Sequence, residues 1–315
     1  MGDASGGGES PPGRVPGVLG DPGELVGALE GVRAGCILIR VTPRRGWRLR
    51  GFSYKPVKTL IARGVEALGA TSPPRAAGLH VSPLLDQRGA PLGVWVGGWR
   101  SPGELAGPPR PLTVRAGWEY MVRVAWAGER ARDAALWLVE AARASDLAEA
   151  ELVALEEERL RGGFAHEASL ALATPAQFKV VSWSGEPAYL TSPGPARLLQ
   201  APLRAALEAA GLGVAHALQA MAALSLYTAQ TGGSWRRVTL YLDEGRPTAW
   251  ALAGWARLSL TRQAPEAAGR LLWLLHRLAL YVGVGKSRSL GLGMAGEPLG
   301  GGVGLPCLPA AIPQA

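Results

Sequence analysis

The sequence predicts an α+β protein built from two tandem ferredoxin-like domains. Segments with strand and helix patterns alternate twice along the chain in β-α-β-β-α-β order, and the links within each half are long enough for crossovers. At 315 residues the chain has room for two domains, each burying its own core. The expected division is a disordered tail at 1–20, a first domain at 21–161, a second at 162–298 with a glycine-rich loop, and a tail at 299–315.

Residues 1–16 are rich in Gly, Ser and Pro and have no apolar stretch, so they fit a disordered tail better than a secretion signal. Residues 36–42 (Cys-Ile-Leu-Ile-Arg-Val-Thr) are apolar and β-branched up to Pro43, the pattern of a buried strand. A basic loop with Arg44, Arg45, Arg48 and Arg50 follows. Pro56 suits a first helical turn, and Val57, Leu60, Ile61, Val65 and Leu68 trace one face up to Gly69. That helix opens with Tyr54, Lys55 and Lys58. Short strands are expected at 78–85, 91–97 and 119–127, then a helix at 130–144. Residues 149–160 fit a helix or an edge strand, and the element order asks for a strand.

In the second half, residues 168–174 alternate toward Pro175, helices are expected at 196–210 and 214–230, and strands at 235–242 and 249–260 flank a turn at 243–247. The most apolar stretch, 209–229, is broken by His216 and Gln219 and rich in alanine, which fits a buried helix and not a membrane span. A helix at 264–282 carries Leu271, Leu274, Leu275 and Leu278 on one face.

Directly after it comes Gly283-Val-Gly-Lys-Ser-Arg-Ser-Leu-Gly-Leu-Gly293. Two Gly-x-Gly pairs bracket five residues that include Lys286, Ser287, Arg288 and Ser289, a pattern that lets backbone N–H groups and cations approach a phosphate. A Walker A loop is excluded, because Leu280 stands where its first glycine belongs and a helix precedes the loop. Gly291-Leu-Gly-Met-Ala-Gly296 matches the dinucleotide fingerprint in letters only, since Glu297-Pro298 and a glycine run follow in place of a helix.

The net charge of +8 favours a polyanionic partner. Residues 31–64 hold nine basic residues and no acid, and residues 267–296 form a second acid-free window with Arg270, Arg277, Lys286 and Arg288. Only four lysines occur, Lys55, Lys58, Lys179 and Lys286; in an arginine-dominated chain a retained lysine marks a place for a compact, titratable ammonium. The two cysteines, Cys36 and Cys307, make neither a disulfide framework nor a cysteine zinc site plausible, and a reducing, cytoplasmic setting is expected. The four histidines, His80, His166, His216 and His276, have no metal-ligand spacing, so neither a metal nor a cofactor is expected. His216 and His276 read as core or boundary residues.

Taken in order, these segments resemble the CRISPR repeat-processing endoribonucleases of the RAMP superfamily. The glycine loop at 283–293 is similar to the family's C-terminal signature. Leu79-His-Val-Ser-Pro-Leu84, Leu172-Ala-Thr-Pro-Ala-Gln-Phe178 and Gly254-Trp-Ala-Arg-Leu258 look like family strands. The resemblance implies a cleft between the domains that holds repeat RNA. It also implies a metal-independent cut in which the 2′-oxygen attacks its own phosphate, leaving a 2′,3′-cyclic phosphate.

Such a cut needs a base, an acid and cations around the phosphorane. Many members carry a histidine soon after the first helix, whereas residues 68–78 here have none. His80 is the nearest. Some members use lysines and tyrosine, and Tyr54, Lys55 and Lys58 answer to that pattern, with the two lysines three apart on one helix face. The expected RNA contacts are Gly283, Gly285, Lys286, Ser287, Arg288, Gly291 and Gly293 in the loop, with Arg44, Arg45, Arg236 and Arg237; Trp235 beside the last two either stacks on a base or packs inward. The alternative is a non-catalytic RAMP subunit that binds guide RNA among effector-complex proteins. The residues leave a homodimer open, and no membrane partner is expected.

Overall fold

The computed structural model describes residues 22–49, 53–93, 95–97, 111–181, 187–241, 249–286, 288, 291–300, 302–308 and 312–313. The first half contains α1 (Pro22–Leu29), β1 (Arg33–Pro43), β2 (Trp47–Leu49), α2 (Tyr54–Ala67), β3 (His80–Val81), β4 (Trp95–Gly97), β5 (Leu112–Val114), β6 (Tyr120–Ala127), α3 (Glu129–Ala144) and β7 (Ala148–Arg159). Four of its strands form an antiparallel sheet in the order β3-β6-β1-β7, the ferredoxin-like arrangement. Residues 149–160 resolve as strand: along β7 exposed and half-buried positions alternate from Glu149 to Leu155.

From Ala34 to Ile39 β1 is buried on both faces, which explains the unbroken apolar run there. Ile37, Ile39 and Val41 share a core with Val57 and Leu60 of α2 and Leu138 of α3, while Cys36 and Leu38 join the core of the second half. α2 and α3 cross at Gly64, where a Cβ would lie 1.6 Å from the Ala141 carbonyl oxygen, so no larger residue fits.

The second half contains β8 (Glu167–Leu172), β9 (Lys179–Val181), β10 (Pro187–Tyr189), α4 (Pro195–Leu198), α5 (Gln200–Ala209), α6 (Val214–Tyr227), β11 (Thr228–Leu240), β12 (Ala249–Leu260), α7 (Glu266–Val282), β13 (Ala295–Leu299), β14 (Gly302–Gly304) and β15 (Ile312–Pro313). Its sheet runs β15-β14-β13-β8-β12-β11-β4, and the stretch β13-β8-β12-β11 repeats the order β7-β1-β6-β3 of the first sheet. Two ferredoxin-like units therefore stand in tandem.

Several elements differ from the sequence expectations. The helix expected at 214–230 stops at Tyr227, and Thr228 already begins β11; a run of alanines and β-formers has no local signal for that switch. The helix at 196–210 is two pieces meeting at Leu199. Of the strand expected at 91–97, residues 95–97 form β4, and it pairs with β11 in the other sheet. The strand at 78–85 shortens to β3, with Leu85 bridging separately to Pro91 and Met121. Helix α1 was not foreseen; its Leu25, Val26 and Leu29 are buried in the second core with α7. Residues 302–304 and 312–313, expected in a tail, add β14 and β15 to the sheet. Residues 1–20 and the turn at 243–247 lie outside the described residues.

The expectation of unlinked cysteines is corrected: Cys36 of β1 and Cys307 are disulfide-bonded, with Cα atoms 6.1 Å apart. Their 271-residue separation hides the pairing from sequence, and the fold brings them together because Cys36 faces the seam between the halves. Arg123 of β6 is fully buried in that seam and donates to the carbonyl oxygens of Leu280 (2.8 Å), Tyr281 (3.2 Å) and Pro306 (3.0 Å). A cation there satisfies the last carbonyls of α7 and complements the helix dipole. Among the described residues no helix is long and apolar enough to cross a membrane.

Candidate nucleic-acid interface

The glycine loop takes its shape from the strand segment on which it lies. Lys286 N–H donates to Gln177 O at 2.8 Å, Gly293 N–H to Pro175 O at 2.9 Å, and Val284 N–H to Gly293 O at 2.8 Å, closing the loop on itself. Gly293 has φ +70°, and a Cβ there would stand 1.9 Å from Val284 O. Glycine is the residue that tolerates both conditions. The loop also lies on the first half: a Cβ at Gly291 would meet Pro83 N at 2.6 Å, and one at Gly283 would meet the His80 ring at 3.1 Å.

Between the halves lies a cleft of about 650 Å³. The first half contributes Arg75, Ala76, Ala77, Leu79 and Arg130; the second contributes Gln177 to Lys179, α4 and α5 residues with Arg197 and Arg204, and Gly285, Lys286 and Arg288 of the loop. Seven cations and one carboxylate, Glu208, line it. Arg75, Arg130, Arg197, Arg204 and Lys286 are exposed and Lys179 is half-buried, so their charges face the opening. A concave wall of one sign concentrates a polyanion. Sequence reasoning missed Arg75, Arg130, Lys179, Arg197 and Arg204 because none belongs to a run of cations along the chain; the rarity of lysine was the signal for Lys179.

The cations of the loop divide in role. Lys286 is exposed, whereas the Arg288 guanidinium donates to Val282 O at 3.0 Å and to Ala77 O at 2.7 Å across the cleft. Burial, then Arg204, press its pKa down to about 10, with Glu208 opposing, so it stays a cation at neutral pH. Arg288 thus joins the halves and leaves Lys286 free to meet a ligand. Ser287 lies outside the described residues.

His80 is fully buried beneath the loop. Its Nε2 lies 3.3 Å from Leu292 O and donates to it, and Nδ1 has no partner among the described residues. Burial first, then the charges of Arg123 and Arg288, hold the ring neutral, with the pKa lowered to about 3. The structure places His80, a candidate for catalysis, in the interior and not among the residues lining the cleft.

Tyr54 opens α2 and packs against Val238, Leu240, Ala251, Ala253 and Leu292 of the glycine loop. Burial raises its phenol pKa, which keeps the O–H intact as a donor. Ser53 before it donates to Leu92 O, pinning the helix start to the segment that follows β3. Lys55 and Lys58 are exposed on the first turns of α2. Lys286 of the glycine loop therefore lies at the cleft, and Leu292 at the start of α2.

Arg44 and Arg45 are exposed beyond Pro43, at the end of β1 opposite Ala34, which pairs with Ala127 next to Arg130. At roughly 3.3 Å per residue the strand from Ala34 to Pro43 separates them from the Arg130 end by roughly 30 Å, so the fold does not bring them into the cleft. Arg236 and Arg237 are also parted: Arg236 pairs with Ala253 and Arg237 with Leu252, whose side chains point to opposite sides of the sheet. Arg237 lies over the Trp250 ring at 5.5 Å, on the same side as Trp235, which packs on Phe178 of the cleft wall. His276 bonds to Ser169 O at 3.0 Å, and burial lowers its pKa, as befits a boundary residue.

The matched region covers this loop and the strand under it. Residues 170–295 carry the pattern of the CRISPR-associated endoribonuclease Cas6 family. The match runs from β8 into β13 and includes the second wall of the cleft. Tyr54, Lys55, Lys58 and His80 lie outside it.

Among solved structures, a Cas6 product complex is 15% identical with a TM-score of 0.51, covering 83% of this chain and 98% of that one. A Thermus thermophilus Cas6 is 14% identical with a TM-score of 0.50, covering 84% and 98%. At such identity the likeness is one of fold. No curated protein matches the chain.

Proposed function

We propose that the protein is an endoribonuclease of the cytoplasm that cuts CRISPR precursor RNA within its repeats to release guide RNAs. The carrying observation is the cleft of seven cations between the halves, floored by a glycine loop inside the segment that matches the Cas6 family. Its cations suit a phosphodiester backbone, and the adjoining start of α2 offers the groups that a cut requires.

In this reading the 2′-hydroxyl loses its proton to a base and its oxygen attacks the adjacent phosphorus. The bond to the 5′-oxygen breaks, that oxygen takes a proton, and the products are a 2′,3′-cyclic phosphate and a 5′-hydroxyl. Tyr54, with its O–H retained, suits the donor to the leaving oxygen. Lys55 and Lys58, exposed at the start of α2, stabilise the phosphorane through their positive charge. The reaction needs no metal.

The test is end-labelled repeat RNA incubated with the protein in EDTA. A single cut with a cyclic phosphate product, abolished by a 2′-deoxy substitution at the cut site, is expected. Tight binding without cleavage at any pH would favour the second reading, a non-catalytic RAMP subunit that holds guide RNA beside effector proteins. That reading draws on one observation: among the described cleft residues there is no histidine, and His80 is sealed off.

A further inference from the structure

Two aromatic residues of the second half, Tyr189 and Trp250, meet beside the cleft wall. Lys179 of the cleft wall pairs with Tyr189 across β9 and β10, and Gln177, another wall residue, donates through its side chain to Trp250 O at 3.3 Å. Tyr189 and Trp250 meet with ring centroids 5.2 Å apart and planes tilted by 55°, and the Arg237 guanidinium stands 5.5 Å from the Trp250 ring centre. Both rings are half-buried and Arg237 is exposed. Trp250 packs against the second core on one side and keeps part of its ring accessible, unlike Trp126, which is 0% exposed. The exposed Arg237 guanidinium adds a cation beside the two rings.

We infer that Tyr189, Trp250 and Arg237 form a stacking site for one unpaired base of an RNA strand whose backbone continues into the cationic cleft. Aromatic faces and guanidinium planes hold single-stranded bases because every base offers a π face, while nearby cations hold the phosphates. The cleft supplies the second element through Lys179, one strand position from the shelf. The inference rests on the RNA-binding part of the proposed function and adds to it that the bound RNA is unpaired where it leaves the cleft on the β9–β10 side. A paired base is closed to such stacking, so the site selects single-stranded flank over duplex.

The test uses the full chain and two probes: an unstructured single-stranded RNA oligonucleotide and the same oligonucleotide with abasic sites. Wild type is expected to bind the abasic probe about tenfold more weakly. In Tyr189→Leu and Trp250→Leu this penalty should shrink toward onefold with the salt slope unchanged, and Trp250→Phe should restore it. Lys286→Ala should keep the penalty and lower the salt slope. If Trp250→Leu melts early, Tyr189→Leu and Arg237→Gln carry the result. An undiminished abasic penalty in these variants overturns the stacking site while leaving RNA binding intact. Failure of wild type to bind either probe overturns RNA binding itself, and the stacking site with it.

Discussion

Arg288 donates to the carbonyl oxygen of Ala77 at 2.7 Å, spanning a cleft whose two walls come from different halves of the chain. Two positions earlier, Lys286 shares the loop and the charge but is exposed. Their substitutions should separate. Arg288→Ala leaves the carbonyls of Ala77 and Val282 without their donor, at a cost of about 1–3 kcal/mol each, and should lower the melting temperature. Lys286→Ala should melt as wild type does, bind RNA more weakly, and reduce the salt slope by roughly 0.7 to 1, the share of one phosphate contact. Equal melting temperatures for the two variants would contradict this division.

Gly293→Ala and Gly69→Ala compare a crowded left-handed residue with an open one. Both glycines have φ +70°, but a Cβ at Gly69 meets nothing within 4 Å. Gly69→Ala should cost about 1–2 kcal/mol of backbone strain alone. Gly293→Ala adds a backbone clash at 1.9 Å and should lose more stability and the loop's RNA affinity together. Denaturant midpoints and binding isotherms check both, and similar losses at the two positions would mean that the loop opens freely.

His80 makes stability depend on acid. Its folded pKa of about 3 lies below the unfolded value near 6.5, so the unfolded chain binds the extra proton and stability falls as the pH drops from about 6.5 toward 3. Urea midpoints measured across that range should show a shallower pH dependence in His80→Gln than in wild type. The burial-lowered His276 contributes in the same direction and remains in both proteins.

Lys58→Ala tests the chemistry at the start of α2. Single-turnover cleavage at saturating protein should slow by about 10²-fold or more, while RNA affinity changes little. A loss of affinity with an unchanged saturated rate would reassign Lys58 to backbone binding.

Much of the fold was legible in the sequence because it rests on local periodicity. Val57, Leu60 and Val65 mark the buried face of α2, Leu271 to Leu278 that of α7, and the alternation in β7 was consistent with its edge position. The loop at 283–293 was legible for another reason, since glycine at fixed spacing encodes backbone conformations that other residues avoid.

The sequence by itself determined the tandem α+β order, the glycine loop and the excess of cations. The tertiary structure decided which cations share a cleft: Arg75, Arg130, Lys179, Arg197 and Arg204 enter it, Arg44 and Arg45 do not, and Arg288 is taken up by backbone carbonyls. It also decided that Cys36 meets Cys307, that β4 crosses to the other sheet and that His80 is buried. The physical reason is common to these cases. Helix and strand faces follow from neighbours within a few residues, whereas a charge's surroundings, a buried imidazole and a disulfide depend on segments up to 271 positions apart that touch only after both cores have closed.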